Sequence, residues 1–213
     1  MGANVIILCI LAFNFFVNIV FASDSSPLQD FCVADLTSSV RINGFPCVDP
    51  AKVEADNFFF RGLHLAGNTS NPTGSAATIV SVNRIPGLNT QGVAIARVDI
   101  AENGFIPPHY QAGSAAIVTV LEGSMEVGFV TASPDYRHYS KVLEKGDVFV
   151  FPYGLVHYVR NVGAGNVAFL VMFNSENPMT TYVPHVLFGA NPGIDAGFLS
   201  RVLALDKKSV GKF

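Results

Sequence analysis

Residues 102–129, ENGFIPPHYQAGSAAIVTVLEGSMEVGF, decide the fold of this chain. The stretch opens with a polar turn and two prolines, presents His109, and continues into a long apolar segment interrupted by Glu122 and Gly123. A second stretch, KGDVFVFPYGLVHYVRN at residues 145–161, repeats the order of turn, strand and histidine and carries His157. The repetition predicts a small barrel with polar side chains converging inside it.

The residues around these two stretches predict an all-β domain. Runs rich in β-branched residues are separated by Pro-Gly, Glu-Gly, Ser-Pro-Asp, Lys-Gly-Asp and Pro-Tyr-Gly turns, which is typical of a sandwich or barrel. Some runs are apolar on both faces, which favours a jelly-roll barrel. We expect strands at residues 77–82, 93–100, 116–121, 124–131, 139–143, 148–151, 155–160 and 167–174, and a possible first strand at 57–65.

The two ends of the chain differ from this central part. Residues 1–22 are apolar and uncharged and end in Val-Phe-Ala, which predicts a cleaved secretory signal peptide; a membrane anchor is the alternative. Residues 23–213 then form a single domain, beginning with an irregular arm over residues 23–57. After residue 178 the pattern changes, and residues 186–188 form only a short apolar segment. Residues 195–205 carry apolar side chains at helical spacing. Lys207, Lys208 and Lys212 follow, which favours the C-terminal end of a helix there. Short helices outside a barrel need a partner surface, so we expect an oligomer.

Charge and cysteine content narrow the class of protein. The net charge is −3 and no basic stretch is present, which argues against a nucleic-acid partner. Without the signal peptide, Cys32 and Cys47 remain, and an even count in a secreted chain indicates a disulfide, although two free thiols are the alternative. Asn68 begins an Asn-Thr-Ser sequon in a turn-rich loop and is a candidate glycosylation site.

The chain resembles the germin-like proteins, plant members of the cupin superfamily. The resemblance rests on LQDFCVAD (28–35), NGFPC (43–47), PGLNTQGVAIARVD (86–99), the box at 104–123, GDVFVFPYGLVHYVRN (146–161) and VLFGANPGI (186–194). It implies a β-jelly-roll barrel with C-terminal helices, a Cys32–Cys47 disulfide, secretion to the apoplast, and a homohexamer built as a trimer of dimers. No membrane span is expected once the signal peptide is cleaved.

The resemblance also implies a metal site, and here the chain departs from its family. The family holds one manganese ion with two histidines separated by one residue, a glutamate five residues further on, and a histidine from the second box. His109 and His157 keep the first and last positions, whereas Gln111 and Ala116 replace the other two ligands. Glu122 and Glu126 are nearby in sequence but are expected in a turn and on a different strand. Holding a divalent cation in a barrel interior without a carboxylate costs free energy, because its charge stays uncompensated. We therefore expect no cofactor; if a metal is retained, manganese is the one that the family implies.

Three functions remain open. The first is a metal-independent pocket in which His109, His157 and Gln111 bind a small organic metabolite or perform acid–base chemistry on it, such as isomerisation or cyclisation. The second is a manganese enzyme of the superoxide dismutase or oxalate oxidase type with unusual ligands. The third is a non-catalytic wall or receptor-like protein. His64, His138 and His185 are expected outside the site, and Asn89 in a turn that could line the cavity mouth.

Overall fold

The computed structural model describes residues 29–40, 42 and 44–205. The predicted signal peptide and the three C-terminal lysines lie outside these residues. The chain divides into one unit over Met1–Phe31, of which only residues 29–31 are described, and a second over Cys32–Phe213. All the features below belong to the second unit.

Ten strands, all paired antiparallel, build this unit. They are β1 (Ser75–Val80), β2 (Ala94–Ile100), β3 (Phe105–Gln111), β4 (Ala116–Glu122), β5 (Met125–Val130), β6 (His138–Leu143), β7 (Val148–Phe151), β8 (His157–Asn161), β9 (Val167–Phe173) and β10 (Thr180–Tyr182). One five-stranded sheet has the order β1-β2-β9-β4-β7 and the other β10-β3-β8-β5-β6. The prediction of a mostly β jelly-roll architecture is confirmed.

Eight of the predicted strands are present, with ends that shift by no more than two residues. The predicted strand at residues 57–65 is wrong. A 3₁₀ helix, Ala55–Phe58, occupies its start, because the Asn57 side chain accepts a hydrogen bond from the Glu54 backbone and caps a helical turn. Strand β10 was not predicted, and no limits were given for β3.

Alternation along the strands places the core between the two sheets. In β4, for example, Ala116, Val118 and Val120 are buried while Ile117 is exposed. Burying each side chain of valine size or larger contributes roughly 1.5–3 kcal/mol, so this shared face supplies most of the driving force. The most completely buried members of the core are Phe169, Ile100, Met125, Val118, Val120, Val127, Val159 and Val167.

Strand β3 is irregular where it carries two prolines. Pro107 and Pro108 have no N–H to donate to the ladder, and the register between β3 and β8 shifts between Ile106 and His109. Beyond the shift, His109 pairs directly with His157. The irregularity therefore sets which residues of β3 face the interior.

A disulfide closes a loop within the N-terminal arm, and hydrogen bonds fasten the arm to the rest of the domain. Cys32 and Cys47 are bonded, which confirms the predicted bridge, and an isolated bridge joins Ala34 to Cys47. The Ala34 N–H donates to the Pro86 carbonyl, and buried Asn89 donates to the Phe45 carbonyl and to the Cys32 sulfur. Asn89 thus lies in the predicted turn but ties down the arm and does not line the cavity.

Two helices follow β10: α1 (Val183–Phe188) and α2 (Ala196–Leu203). Asp195 caps α2 by accepting from the Phe198 N–H, and Ala204 ends it in the left-handed conformation. Leu199 is buried, whereas Phe198 and Val202 are exposed on α2. Within the described part of the chain, none of the helices is both long and apolar enough to span a bilayer.

Candidate functional site

The site is built around His109 on β3 and His157 on β8, which are direct partners across the ladder. Both are buried, with 6% and 3% of their surface exposed, and their ring centroids lie 4.2 Å apart. The Phe151 ring stacks on His157 at 4.2 Å, and the Tyr182 ring lies 5.5 Å from His109. The structure therefore brings the two predicted histidines into contact inside an aromatic and aliphatic enclosure.

Backbone carbonyls fix the tautomer of both rings. Nδ1 of His109 lies 2.8 Å from the Pro107 carbonyl oxygen, and Nδ1 of His157 lies 2.8 Å from the Leu155 carbonyl oxygen. A carbonyl oxygen can only accept, so each neutral ring carries its proton on Nδ1 and donates it there. The Nε2 atom of each ring is left with the lone pair and can act as a base or an acceptor.

Gln111 and Ala116 complete the set of residues that the family pattern singles out. Gln111 lies two positions after His109, so strand alternation brings both side chains to the buried face, and its amide donates to the Thr180 hydroxyl at 3.4 Å. Ala116 is 3% exposed and lies opposite Phe151 and Phe173 on the neighbouring strands.

These residues enclose a cavity of about 60 Å³. Its polar lining consists of His109, Gln111, His157, Thr180 and Tyr182, and the rest is apolar and includes Ala96, Val118, Phe169 and Val171. The exposed side chains of Ala77 and Ile79, on edge strand β1, also line it, so the cavity opens beside that strand. A small cavity with a few polar groups on an apolar wall is typical of a small-molecule site.

Burial keeps the histidine pair neutral. Desolvation lowers the pKa of His109, and the hydrogen bond to Pro107 opposes this only in part. Desolvation, followed by repulsion from His109, lowers the pKa of His157 to about 4. Because each charged ring raises the cost of charging the other, the pair accepts one proton at a time. Burial also raises the pKa of the Tyr182 hydroxyl, which stays protonated.

The donor set does not fit the manganese site of the family. No carboxylate lines the cavity, and among the described residues no three His, Cys, Asp or Glu side chains converge in a way that could hold a metal. Glu122 is exposed at the end of β4, and Glu126 is bonded to Tyr158 and Arg160. Two neutral imidazoles and an amide leave the charge of a Mn²⁺ ion uncompensated, and Mn²⁺ favours carboxylate and water oxygens.

The remaining histidines and the neighbouring tyrosine lie away from the cavity. His138 is exposed and stacks on Tyr158, whose hydroxyl donates to Glu126. Strand alternation therefore turns Tyr158 away from the site. His64 and His185 are exposed, and His185 contacts the edge of the Tyr182 ring.

The sequence did not reveal the contribution of β10. Tyr182 and Thr180 come from a three-residue strand that pairs with β3, with Tyr182 opposite His109. Three residues are too few to show a period, so no pattern in the sequence marks this strand. Phe151 was within a predicted strand, but nothing in the sequence indicated that it stacks on His157.

Comparison with known proteins agrees with this fold. The family model described as Cupin matches residues 61–211. A putative germin-like protein 2-1 from Oryza sativa subsp. japonica is 50% identical over 192 residues, covering 90% of this chain and 89% of that protein. A solved structure of recombinant oxalate oxidase in complex with glycolate has a TM-score of 0.83 at 41% identity, covering 88% of this chain and 94% of that one.

A second similar structure is Peruvianin-I, described as a cysteine peptidase from Thevetia peruviana latex. It has a TM-score of 0.70 at 37% identity and covers 76% of this chain and 98% of that one. The two-sheet barrel and the extent of these matches define a cupin. The chain belongs to the germin-like proteins of the cupin family.

Proposed function

We propose that this protein is a secreted germin-like cupin with a metal-independent pocket for a small organic metabolite, on which the histidine pair performs acid–base chemistry. The observation that carries the proposal is the contact of two neutral imidazoles in an apolar cavity without a carboxylate. Such a site retains general bases but lacks the charge that would hold a divalent cation.

Isomerisation of a carbonyl compound is the reaction that suits these groups. Nε2 of one imidazole takes a proton from the carbon beside a carbonyl, and the carbonyl oxygen becomes an enolate oxygen whose negative charge is stabilised by a hydrogen bond from a neighbouring N–H or O–H group. The imidazolium then returns its proton to a different atom of the same molecule. No electrons leave the substrate, so the sequence of steps needs neither an oxidant nor a metal. Gln111, Thr180 and Tyr182 carry the neutral hydrogen-bond donors of the cavity wall.

Proton abstraction can be tested without knowing the natural substrate. The exchange of the methyl protons of para-hydroxyacetophenone for deuterium in D₂O is followed by NMR, with and without a chelator. We expect the protein to accelerate exchange equally in both conditions. His157→Phe should lower the rate by about 100-fold or more, within the range of general base catalysis. His138→Phe, which replaces an exposed histidine, is the matched control and should leave the rate unchanged.

The outcomes separate the candidate functions. Exchange that is unchanged in His157→Phe would end the catalytic version of the proposal. Binding without exchange would leave a binding protein, and neither binding nor exchange would favour the non-catalytic wall or receptor-like alternative.

A manganese oxidoreductase is the second candidate. It is favoured by the likeness to oxalate oxidase and by the anchoring of both Nδ1 atoms to carbonyls, an arrangement common among metal-binding histidines. Elemental analysis of the secreted protein tests it, because stoichiometric manganese would overturn the metal-independent proposal. The peptidase activity named for Peruvianin-I needs a thiol, and in the described residues the cysteines Cys32 and Cys47 are joined to each other.

The cellular setting is also a proposal. We expect cleavage of residues 1–22, release of a single domain to the apoplast, and glycosylation at Asn68, which is exposed in the loop before β1. The exposed apolar side chains of Phe198 and Val202 on α2 support a homo-oligomer, and the family resemblance implies a hexamer. Light scattering and mass spectrometry of protein secreted from a plant host test these points, and a monomer lacking a glycan would contradict them.

A further inference from the structure

A second, larger cavity lies beside the histidine cavity. It has a volume of about 300 Å³, against about 60 Å³ for the inner one, and four residues line both: Ala77, Val98, Ile106 and Tyr182. Ala77 and Val98 are direct partners on β1 and β2, so the shared wall is formed by edge strand β1 and its neighbour on one side and by β3 and β10 on the other. The two cavities are therefore adjoining chambers between the edges of the two sheets.

The passage between the chambers favours a planar group. The Tyr182 ring lies 5.5 Å from the His109 ring, on the inner side, and 5.4 Å from the His185 ring, which lines the outer chamber. Ala77, another of the residues shared by the two chambers, contributes only a methyl group to the boundary between them. A flat ring can therefore lie against Tyr182 as it crosses from one chamber to the other.

One wall of the outer chamber, formed by Asn71, Thr73 and Ser75, can accept hydrogen bonds but has few left to donate, whereas Tyr182 and His185 line the chamber elsewhere. The Thr73 hydroxyl donates to the Asn71 side-chain oxygen at 2.8 Å, so the hydrogen of the 2.9 Å bond between Thr73 and Ser75 comes from Ser75. The Asn71 amide donates to the Ser75 carbonyl. A hydroxyl has two acceptor lone pairs, so Ser75 and Thr73 keep free lone pairs although their hydrogens are used. A group that lies against this wall must therefore supply donors.

We propose that the ligand of the histidine site is a two-part molecule: a small carbonyl-bearing head, joined through a planar ring to a neutral tail rich in hydroxyl groups, such as a glycoside. The head enters the inner chamber, the ring lies along Tyr182, and the tail donates hydrogen bonds to Ser75 and Thr73. An anionic tail, which only accepts, does not match this wall. The inference rests on the proposed function, because it takes the histidine cavity as the ligand site.

Three probes test the division between the chambers: para-hydroxyacetophenone, its O-glucoside and its sulfate ester. Their affinities for the full secreted protein are measured by calorimetry at neutral pH. We expect the glucoside to bind at least tenfold more tightly than the parent phenol, and the sulfate ester to gain nothing over it. Equal affinity of glucoside and phenol would overturn the two-part ligand while leaving the histidine site in place. Failure of both to bind would overturn the inference and count against the proposed function as well.

Two substitutions locate the tail. Ser75→Ala should lower the affinity for the glucoside several-fold and leave that for the phenol unchanged, because it removes a hydroxyl of the outer chamber and changes nothing in the lining of the inner one. Ala77→Leu should fill the passage and lower the affinity for the glucoside at least tenfold. Thr78→Leu adds similar bulk to the next residue of β1, which faces the other side of the sheet, and should bind the glucoside like the unmodified protein. Wild-type affinity of Ala77→Leu for the glucoside would contradict the passage.

Discussion

At the scale of single residues, two substitutions separate this site from that of its family. His109 and His157 keep their ring positions and their carbonyl-anchored Nδ1 atoms, whereas Gln111 and Ala116 supply an amide and a methyl group where the family has an imidazole and a carboxylate. The missing carboxylate matters most, because it is the only group of the family set that offsets the charge of the metal. This difference in charge is the physical basis of the proposal that the site stays neutral and does not hold a cation.

Restoring both residues should restore the metal. We expect Gln111→His combined with Ala116→Glu to be secreted with close to stoichiometric manganese, measured by elemental analysis and electron paramagnetic resonance. Added Mn²⁺ should also raise its melting temperature, because binding to the folded state alone stabilises that state. Ala116 is buried between Phe151 and Phe173, so Ala116→Glu without the second imidazole should unfold more readily than the double variant with metal.

The single variant Gln111→His is the control for this experiment. It supplies three imidazoles but no negative charge, and it should remain low in manganese. If Gln111→His carried as much manganese as the double variant, the missing carboxylate would not be what excludes the metal.

At the scale of elements, the two edge strands β1 and β10 and the N-terminal arm distinguish this barrel. Strand β10 brings Tyr182 opposite His109, and β1 leaves its inward-facing Ala77 and Ile79 exposed at the cavity. The disulfide closes a loop within the arm, Asn89, which is 1% exposed, ties the arm to the domain, and none of the arm's described residues lines the cavity. Access to the site therefore depends on the sheet edges, whereas the arm contributes to stability.

Replacing Asn89 should loosen the arm. In Asn89→Ala the Phe45 carbonyl loses its side-chain partner and a buried polar contact disappears, which costs about 1–3 kcal/mol. We expect a lower free energy of unfolding in urea and faster reduction of the Cys32–Cys47 bond by a thiol reagent. Asn177→Ala changes an exposed asparagine and is the control. A reduction rate equal to that of the unmodified protein would show that Asn89 does not hold the arm.

The sequence predicted an element where the element was long enough and where local residues marked its ends. The eight strands with several β-branched residues between clear turns were predicted, because alternation and turn chemistry act together there. The aromatic run at 57–65 had no such support, and the hydrogen bonds between Glu54 and Asn57 made its start helical. The prolines hid the limits of β3, and β10 is too short to show a period. The repeated motif was enough to place His109 and His157 in one site. Tyr182 reaches the site only because β10 pairs with β3, which is distant in sequence.

At the scale of the whole molecule, the buried histidines couple the stability of the barrel to pH. His157 has a pKa of about 4 when folded, against 6.5 for the group in its ordinary state, chiefly because burial disfavours its charge. The groups that contact or adjoin it are Phe151, His109 and Tyr182; burial also lowers the pKa of His109, and Tyr182 stays neutral. The neighbouring groups therefore supply no negative charge that would stabilise an imidazolium.

This coupling has a definite sign. Between pH 6.5 and about 4 the unfolded chain binds a proton at residue 157 while the folded chain does not. The stability that depends on a neutral His157 is therefore complete above pH 6.5 and is lost as the pH falls towards 4, by about 3 kcal/mol in total.

We expect urea unfolding, at one fixed protein concentration, to show this loss in the unmodified protein and a clearly smaller loss in His157→Asn. His138→Asn removes an exposed histidine and should retain the full loss. The carboxylates titrate alike in all three proteins, so they cancel in the comparison. Parallel curves of unfolding free energy against pH for the unmodified protein and His157→Asn would mean that His157 becomes charged freely in the folded barrel. The described lining of its cavity argues against this outcome, because it contains no acidic side chain.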